Sequence, residues 1–225
     1  MKQLLFLLCS LYFGTLLIHS QSDYNLGLLP KLTLTKPIAS KTKLVHSIES
    51  RQIFYDNTSN PAQTYQYVLT DFTTLFSYKI GSSMSLNGGY LFRIRGNQIV
   101  HRSIQQFTVV QSLEGFRFGH RIATDQTFSN TTNPLFRLRY RATLEIPISG
   151  LRVDAQEFYI KVNNEYLGIY QDSSGDLELR LMPFLGYELN RNNKIETGLD
   201  YRIDNFIQGR SNQDFWWVLS WYTTL

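Results

Sequence analysis

From Leu135 to Ile148 the chain reads Leu-Phe-Arg-Leu-Arg-Tyr-Arg-Ala-Thr-Leu-Glu-Ile-Pro-Ile. Phe136, Leu138, Tyr140, Ala142, Leu144 and Ile146 fall on one parity, and Arg137, Arg139, Arg141, Thr143 and Glu145 on the other. A period of two predicts a strand with one apolar and one charged face. Wound as a helix, the same residues would scatter the arginines around the cylinder and leave no apolar stripe. In a membrane strand the orientation is fixed as well. Turning it over would place three arginines in hydrocarbon, at ~2–4 kcal/mol each near the midplane.

The same alternation recurs along the chain. Residues 24–38 alternate loosely around Leu32 and Leu34, interrupted by Pro30, and residues 42–55 set Leu44, His46 and Ile48 against Lys43, Ser47, Glu49 and Arg51. Residues 65–80 set Phe72, Phe76, Tyr78 and Ile80 against Asp71, Thr73, Ser77 and Lys79, and from Met84 the apolar set is Leu86, Tyr90, Phe92 and Ile94. Residues 101–114 are the least regular, with Phe107, Val109 and Leu113 apolar, and Phe116, Phe118, Ile122 and Phe128 follow against Arg117, Arg121 and Asp125. After the organising strand come Phe158, Ile160, Val162, Tyr166 and Tyr170, then Leu179, Leu181, Leu185 and Tyr187, then Ile195, Leu199, Tyr201 and Ile203. The chain closes on Phe215, Trp217, Leu219, Trp221, Thr223 and Leu225.

This makes about eleven strands of roughly 10–16 residues and no helical segment. The expected fold is all-β: a transmembrane antiparallel up-and-down barrel of about 10–12 strands. Connections alternate between very short ones, such as Gly81-Ser82-Ser83, Glu114-Gly115, the turn around Ser149-Gly150 and Arg191-Asn192-Asn193, and longer polar ones. Gly96-Asn97 opens a loop, and residues 172–176 and 208–214 read as loops too. With the short turns periplasmic, the first and last strands would both descend. An even-stranded barrel resolves this with residues 23–30 as an extra strand, giving twelve, or with the first strand outside the wall, giving ten; twelve is preferred.

Alternation alone does not say which face is wet, because a soluble lipocalin-like barrel has the same period in the opposite sense. Three features favour lipid outside. The strand count exceeds the eight at which side chains fill an interior. Aromatics such as Tyr78, Tyr90, Tyr166, Tyr187, Trp217 and Trp221 read as interfacial girdles near strand ends. The opposite faces carry both signs of charge and cannot form a dry core.

The N-terminus adds a compartment. Met1-Lys2-Gln3, an apolar run from Leu4 to Ile18 and His19-Ser20-Gln21 have the three parts of a secretory signal peptide. The expected organisation is therefore a leader over residues 1–21 and an outer-membrane barrel over residues 22–225, located in the cell outer membrane. Cys9, the only cysteine, lies in the leader, so the mature chain has no thiol for disulfides, catalysis or metal binding. Lysine and arginine total 22 against 18 acids, a formal charge of +4, or about +3 without Lys2. No long basic run points to nucleic acid. The expected partners are outer-membrane lipid, the barrel-assembly machinery and small anionic solutes.

The leader, the Arg-Leu-Arg-Tyr-Arg core of residues 137–141, the segment from Glu157-Phe158-Tyr159 to Glu165, and the stretch from Gly186-Tyr187 through Tyr201-Arg202 resemble the family known as domain of unknown function 2490. The resemblance implies an exported outer-membrane β-barrel and carries no catalytic residues. The terminal strand is similar to the assembly signal of such barrels, but ends in Leu225 where an aromatic is commoner.

The candidate chemistry lies on the polar faces. The lumen-facing candidates are Arg93, Arg95, Arg117, Arg121, Arg137, Arg139, Arg141, Glu145, Lys161, Glu165, Arg180 and Arg202, with Glu49, Arg51, Glu178 and Asp200 beside them. Arginine rings in a pore favour anions, since a guanidinium stays charged and grips carboxylate or phosphate in a fork. The plainer alternative is cross-strand pairing that plugs or stiffens the interior. An outer-membrane hydrolase acting on lipid or envelope substrates is the other class. His46 and His120 fall on apolar parities, His101 lies by a loop, and no serine stands at a persuasive spacing to any of them. No catalytic residue, metal set or cofactor motif is assigned. The expected role is a small-solute, anion-preferring channel or a structural envelope barrel.

Overall fold

In the computed structural model, which describes residues 23–58, 65–207, 209 and 211–225, each alternating stretch is a strand. The strands are β1 (Asp23–Ala39), β2 (Thr42–Asp56), β3 (Gln66–Lys79), β4 (Met84–Arg95), β5 (Gln98–Leu113), β6 (Phe116–Ser129), β7 (Leu135–Pro147), β8 (Glu157–Gln171), β9 (Ser174–Asn190), β10 (Asn193–Asp204) and β11 (Asn212–Thr224). No helix occurs among the described residues, and the expected leader lies outside them.

Neighbours in sequence pair antiparallel, and the barrel closes where β1 lies parallel to β11. The closing ladder keeps one register from Asp23↔Asn212 to Thr35↔Thr224, and the Leu225 amide adds a bond of 2.9 Å to the Thr35 carbonyl. The expectation of an even count is therefore corrected: the described wall has eleven strands, neither twelve nor ten. Both end strands do run the same way, and a parallel ladder accommodates them. Pro30, read as an interruption, sits inside β1. The ladder to β2 lapses at Leu29 and Pro30 and resumes at Lys31↔Glu49 in the same register. A proline has no N–H to give to such a ladder.

The connections also depart from the expected alternation. Asp172 and Ser173 alone join β8 to β9, with φ of 51° and 61°. Two successive positive φ values are what a two-residue hairpin turn of matching twist requires. Residues 174–176, expected in a loop, are strand, and Gly96-Asn97 is likewise a two-residue turn. The turn expected around Ser149-Gly150 is instead a connection over residues 148–156. It lies at the rim that holds the C-terminus, otherwise the rim of short turns.

The sense of the alternation is apolar outside and charged inside, opposite to that of a lipocalin-like barrel. Phe72, Phe76, Leu86, Leu138, Ile160, Leu185 and Leu219 are exposed on the outer wall, whereas Asp71, Arg93, Arg102, Asp125, Glu165, Glu196 and Arg202 are buried within. The outer aromatics are less orderly than a girdle at strand ends. Tyr78, Tyr187 and Trp221 lie towards the ends, but Tyr90, Tyr166 and Trp217 sit nearer mid-strand. The irregularity of β5 has a local cause. Outward Ser103 and Gln105 form a hydrogen-bonded patch with Thr124 and Gln126 of β6.

The inner wall also holds large apolar groups. At the seam, the Trp216 indole lies across its register partner Gly27, and a Cβ there would stand 2.5 Å from both the ring and the Gln52 carbonyl. Leu29, Trp216 and Val218 form a buried cluster, with Ile53, Val68 and Phe184 against it. Tyr159 crosses its partner Gly186 in the same way, so that a side chain at residue 186 would collide with the ring. Replacing Trp216 by Ala should cost about 3–5 kcal/mol, as for other buried aromatic truncations. Gly27→Val should cost about 1–3 kcal/mol through overpacking. Urea midpoints of the folded barrel check both.

Candidate functional site: the charged lumen

Strand register brings the lumen charges together. Directly opposed partners across a sheet lie about 4.5–5.5 Å apart at Cβ, and long side chains reach diagonally as well. Asp125 of β6 faces Arg137 of β7, with Arg139 and Arg102 on its diagonals. Its carboxylate is 2.6 Å from Arg137, 2.7 Å from Arg139 and 3.4 Å from Arg102. Thr127 Oγ1 accepts further bonds from Arg102 Nε at 2.9 Å and Arg137 Nη2 at 3.2 Å.

Glu165 of β8 stands between Arg141 of β7 and Arg180 of β9, opposite both. It lies 2.6 Å from Arg141, 2.9 Å from Arg121 and 3.5 Å from Arg180. Asp125 is 2% exposed and Glu165 0%, so both carboxylates are covered by the guanidinium groups that hold them. A carboxylate stripped of water in this way depends on its cations, since the desolvation cost is several kcal/mol per ion.

Other charges pair more simply. Arg93 forks onto Asp71 across β3 and β4, Nε donating to Oδ1 at 2.7 Å and Nη2 to Oδ2 at 2.6 Å. Arg202 forks onto Asp200, its neighbour on the same face of β10, at 3.1 and 2.6 Å. Arg180 Nε donates to Glu178 at 2.6 Å, and Glu49 is shared by Arg51 at 2.9 Å and Lys31 at 3.4 Å. Such forked pairs are geometrically specific as well as strong.

Towards the C-terminal rim, Glu196 pairs closely with Lys161 and accepts the Tyr159 hydroxyl at 2.7 Å. The Lys161 ammonium also lies 5.0 Å from the Phe184 ring. Arg117 and Glu145 pair at 2.9 Å nearer this rim, with the arginine side chain about half exposed.

Nine of the twelve candidates border one central cavity of about 580 Å³: Arg93, Arg95, Arg121, Arg137, Arg139, Arg141, Lys161, Arg180 and Arg202. Glu165 sits in the wall behind it, and Arg117 and Glu145 lie apart at the rim. Arg102, Asp71, Asp125, Asp204, Asp214, Glu196, Tyr159 and Trp216 were not among the candidates. Arg102 is hidden by the weak alternation of β5, whereas Asp71 and Asp125 already fell on polar parities. Twelve lysine and arginine side chains border the cavity against six carboxylates. The guanidinium Nε atoms of Arg121 and Arg139 are buried with no hydrogen-bond partner among the described residues.

His46, His101 and His120 face outwards and meet hydroxyl groups. His46 Nδ1 lies 3.0 Å from Thr74, His101 Nδ1 2.5 Å from Tyr90, and His120 Nδ1 2.8 Å from Tyr140. None of these contacts places a carboxylate behind the imidazole, as a nucleophile-activating triad would need.

The chain belongs to the family described as "Protein of unknown function (DUF2490)", which matches residues 26–213. No curated protein matches it. Among solved structures it is similar to the siderophore receptor PirA from Pseudomonas aeruginosa, at 14% identity and a TM-score of 0.35. That match covers 80% of this chain and 35% of the receptor chain, so this chain spans about a third of the receptor's length.

Removing one buried acid strands its cations. Asp125→Asn or Glu165→Gln should each destabilise the barrel by about 3–5 kcal/mol. Arg117→Gln, at the exposed rim pair, should stay within about 1 kcal/mol. Urea titrations of the three variants followed by tryptophan fluorescence distinguish the two classes.

Proposed function

We propose, for this member of the DUF2490 family, an outer-membrane barrel whose cationic lumen admits small anionic solutes. The twofold excess of cationic over acidic side chains around the 580 Å³ cavity carries this reading. Asp125 and Glu165 neutralise arginines from behind, within the wall, so the surface that a solute would meet is dominated by guanidinium N–H groups. Guanidinium forks select planar anions such as carboxylates, and selectivity by charged rings is a general device of pores.

Membrane placement is supported by the outer wall. Its exposed Phe, Leu, Ile and Trp side chains recur on every strand from β3 to β11, an apolar surface interrupted at the polar patch of β5 and β6 and of a kind soluble monomers rarely expose. The strands, of 12–17 residues, exceed the ~9–11 needed to span hydrocarbon at a tilt. A structural envelope barrel is the second reading. It is favoured by the two carboxylates that each gather three arginines, a geometry that stiffens neighbouring strands.

Planar-bilayer recording of the refolded chain separates the two. In a potassium chloride gradient, the channel reading expects stable conductance steps with a reversal potential on the anion side. Arg95→Gln, which removes a cavity arginine that forms no ion pair among the described residues, should lower the anion-to-cation permeability ratio by roughly twofold, about the worth of one exposed charge. Changing Arg137, Arg139 and Arg141 together to Ser should lower the anion preference further, in a barrel destabilised because Asp125 and Glu165 lose those cations. A folded barrel without steps favours the structural role.

A further inference from the structure

The charge around the cavity is unevenly distributed. Arginines of β4 to β7 outnumber the acids on those strands, whereas acids collect on β9 to β11, the arc across the lumen. Arg95, Asp204 and Asp214 mark the contrast. Arg95 ends β4, Asp204 ends β10 and Asp214 lies near the start of β11, so all three stand towards the rim opposite the C-terminus, and all border the same cavity. None of the three forms an ion pair among the described residues. Asp214 accepts a bond of 3.0 Å from Asn25, a neutral group, and Asp204 Oδ1 is buried without a hydrogen-bond partner among the described residues.

A buried aromatic side chain stands beside this acidic arc. Trp216, on the cavity wall and only 3% exposed, has its indole Nε1 buried with no acceptor among the described residues. It faces Asp200 in the register of β10 and β11 and stacks near Arg202, with 5.9 Å between the guanidinium carbon and the ring.

Opposed charges on facing arcs of a narrow lumen create a transverse field. A simple anion is drawn to the arginine arc and repelled by the acids, whereas a dipolar molecule aligned across the lumen gains at both ends. We propose that this mouth of the lumen is a two-pole filter for small zwitterions, the anionic end meeting Arg95 and the arginines beneath it and the ammonium end meeting Asp204 and Asp214. The proposal rests on the solute-path reading above and names its substrate class.

Three probes of one skeleton test it: taurine, a zwitterion; isethionate, its anionic hydroxyl analogue; and ethanolamine, its cationic counterpart. Uptake of each, radiolabelled, into proteoliposomes carrying the refolded barrel should run taurine first, isethionate second and ethanolamine last. Taurine should lead isethionate by roughly threefold, the size of one solvent-exposed ion pair. Changing Asp204 and Asp214 together to Asn should bring that ratio to one or below, and Arg95→Gln should slow taurine and isethionate together. Sheet circular dichroism verifies folding, and each single Asp variant serves if the double one fails to fold. Isethionate ahead of taurine, with ethanolamine excluded, overturns the two-pole filter and leaves the anion path standing. A taurine preference that survives loss of both acids also overturns it. Equal entry of isethionate and ethanolamine removes the anion preference and the filter with it, and no entry of any probe removes the solute path itself.

Discussion

Two carboxylates buried in the wall, each inside a clasp of three guanidinium groups, set what the rest of the lumen can be. Asp125 ties β5, β6 and β7 together, and Glu165 ties β6, β7, β8 and β9. β7 belongs to both clasps through Arg137, Arg139 and Arg141, which explains why the strand with the cleanest alternation also carries the densest charge. Its apolar face has to point out because its arginines have partners only within. Neither clasp is a surface salt bridge of small worth. Each is a buried acid whose removal would leave several cations repelling one another at close range.

The seam is the complementary weak point. Parallel ladders hold slightly less well per residue than antiparallel ones, and this is the only parallel ladder in the described wall. It is also where β1 contains Pro30. The structure reinforces it with apolar packing rather than charge: Trp216 laid over Gly27, Leu29 and Val218 beside it, and Ile53, Val68 and Phe184 around them. A glycine on one strand of the closing pair and a tryptophan on the other therefore act as a unit. The indole closes the gap that the missing side chain leaves.

Much of this was legible from period-two alternation. β7 runs over Leu135–Pro147 with the faces expected, and most of the candidate cations border one cavity. What could not be read depended on register. That Asp125 meets Arg137, or that Glu165 lies between Arg141 and Arg180, follows from which residue opposes which, and parity only says that they share a side. The odd strand count was hidden for a similar reason. Nothing in residues 23–39 says that their second neighbour is the last strand, running the same way. Trp216 and Trp217 are adjacent, so one of them had to point inwards, but the glycine that receives it lies almost the whole chain away. Asp172-Ser173 turns the chain with two positive φ values and without the Asn-Gly pattern that normally announces such a turn.

Stiffening and passage need not compete for the same atoms. A guanidinium has five N–H donors, and a buried carboxylate that takes one or two from behind leaves others facing the cavity. Arg139 shows the arrangement: Nη2 reaches Asp125 in the wall at 2.7 Å, while the side chain, 17% exposed, borders the lumen. The carboxylate holds the side chain in one rotamer, and that removes most of the entropy that a free arginine would lose on gripping a solute. A fixed arginine is thus a better anion contact than a mobile one. Asp125 and Glu165, which look like neutralisation in the sequence, then serve as anchors, and their place behind the wall rather than in the lumen adds to the surplus of cations over acids at the cavity surface.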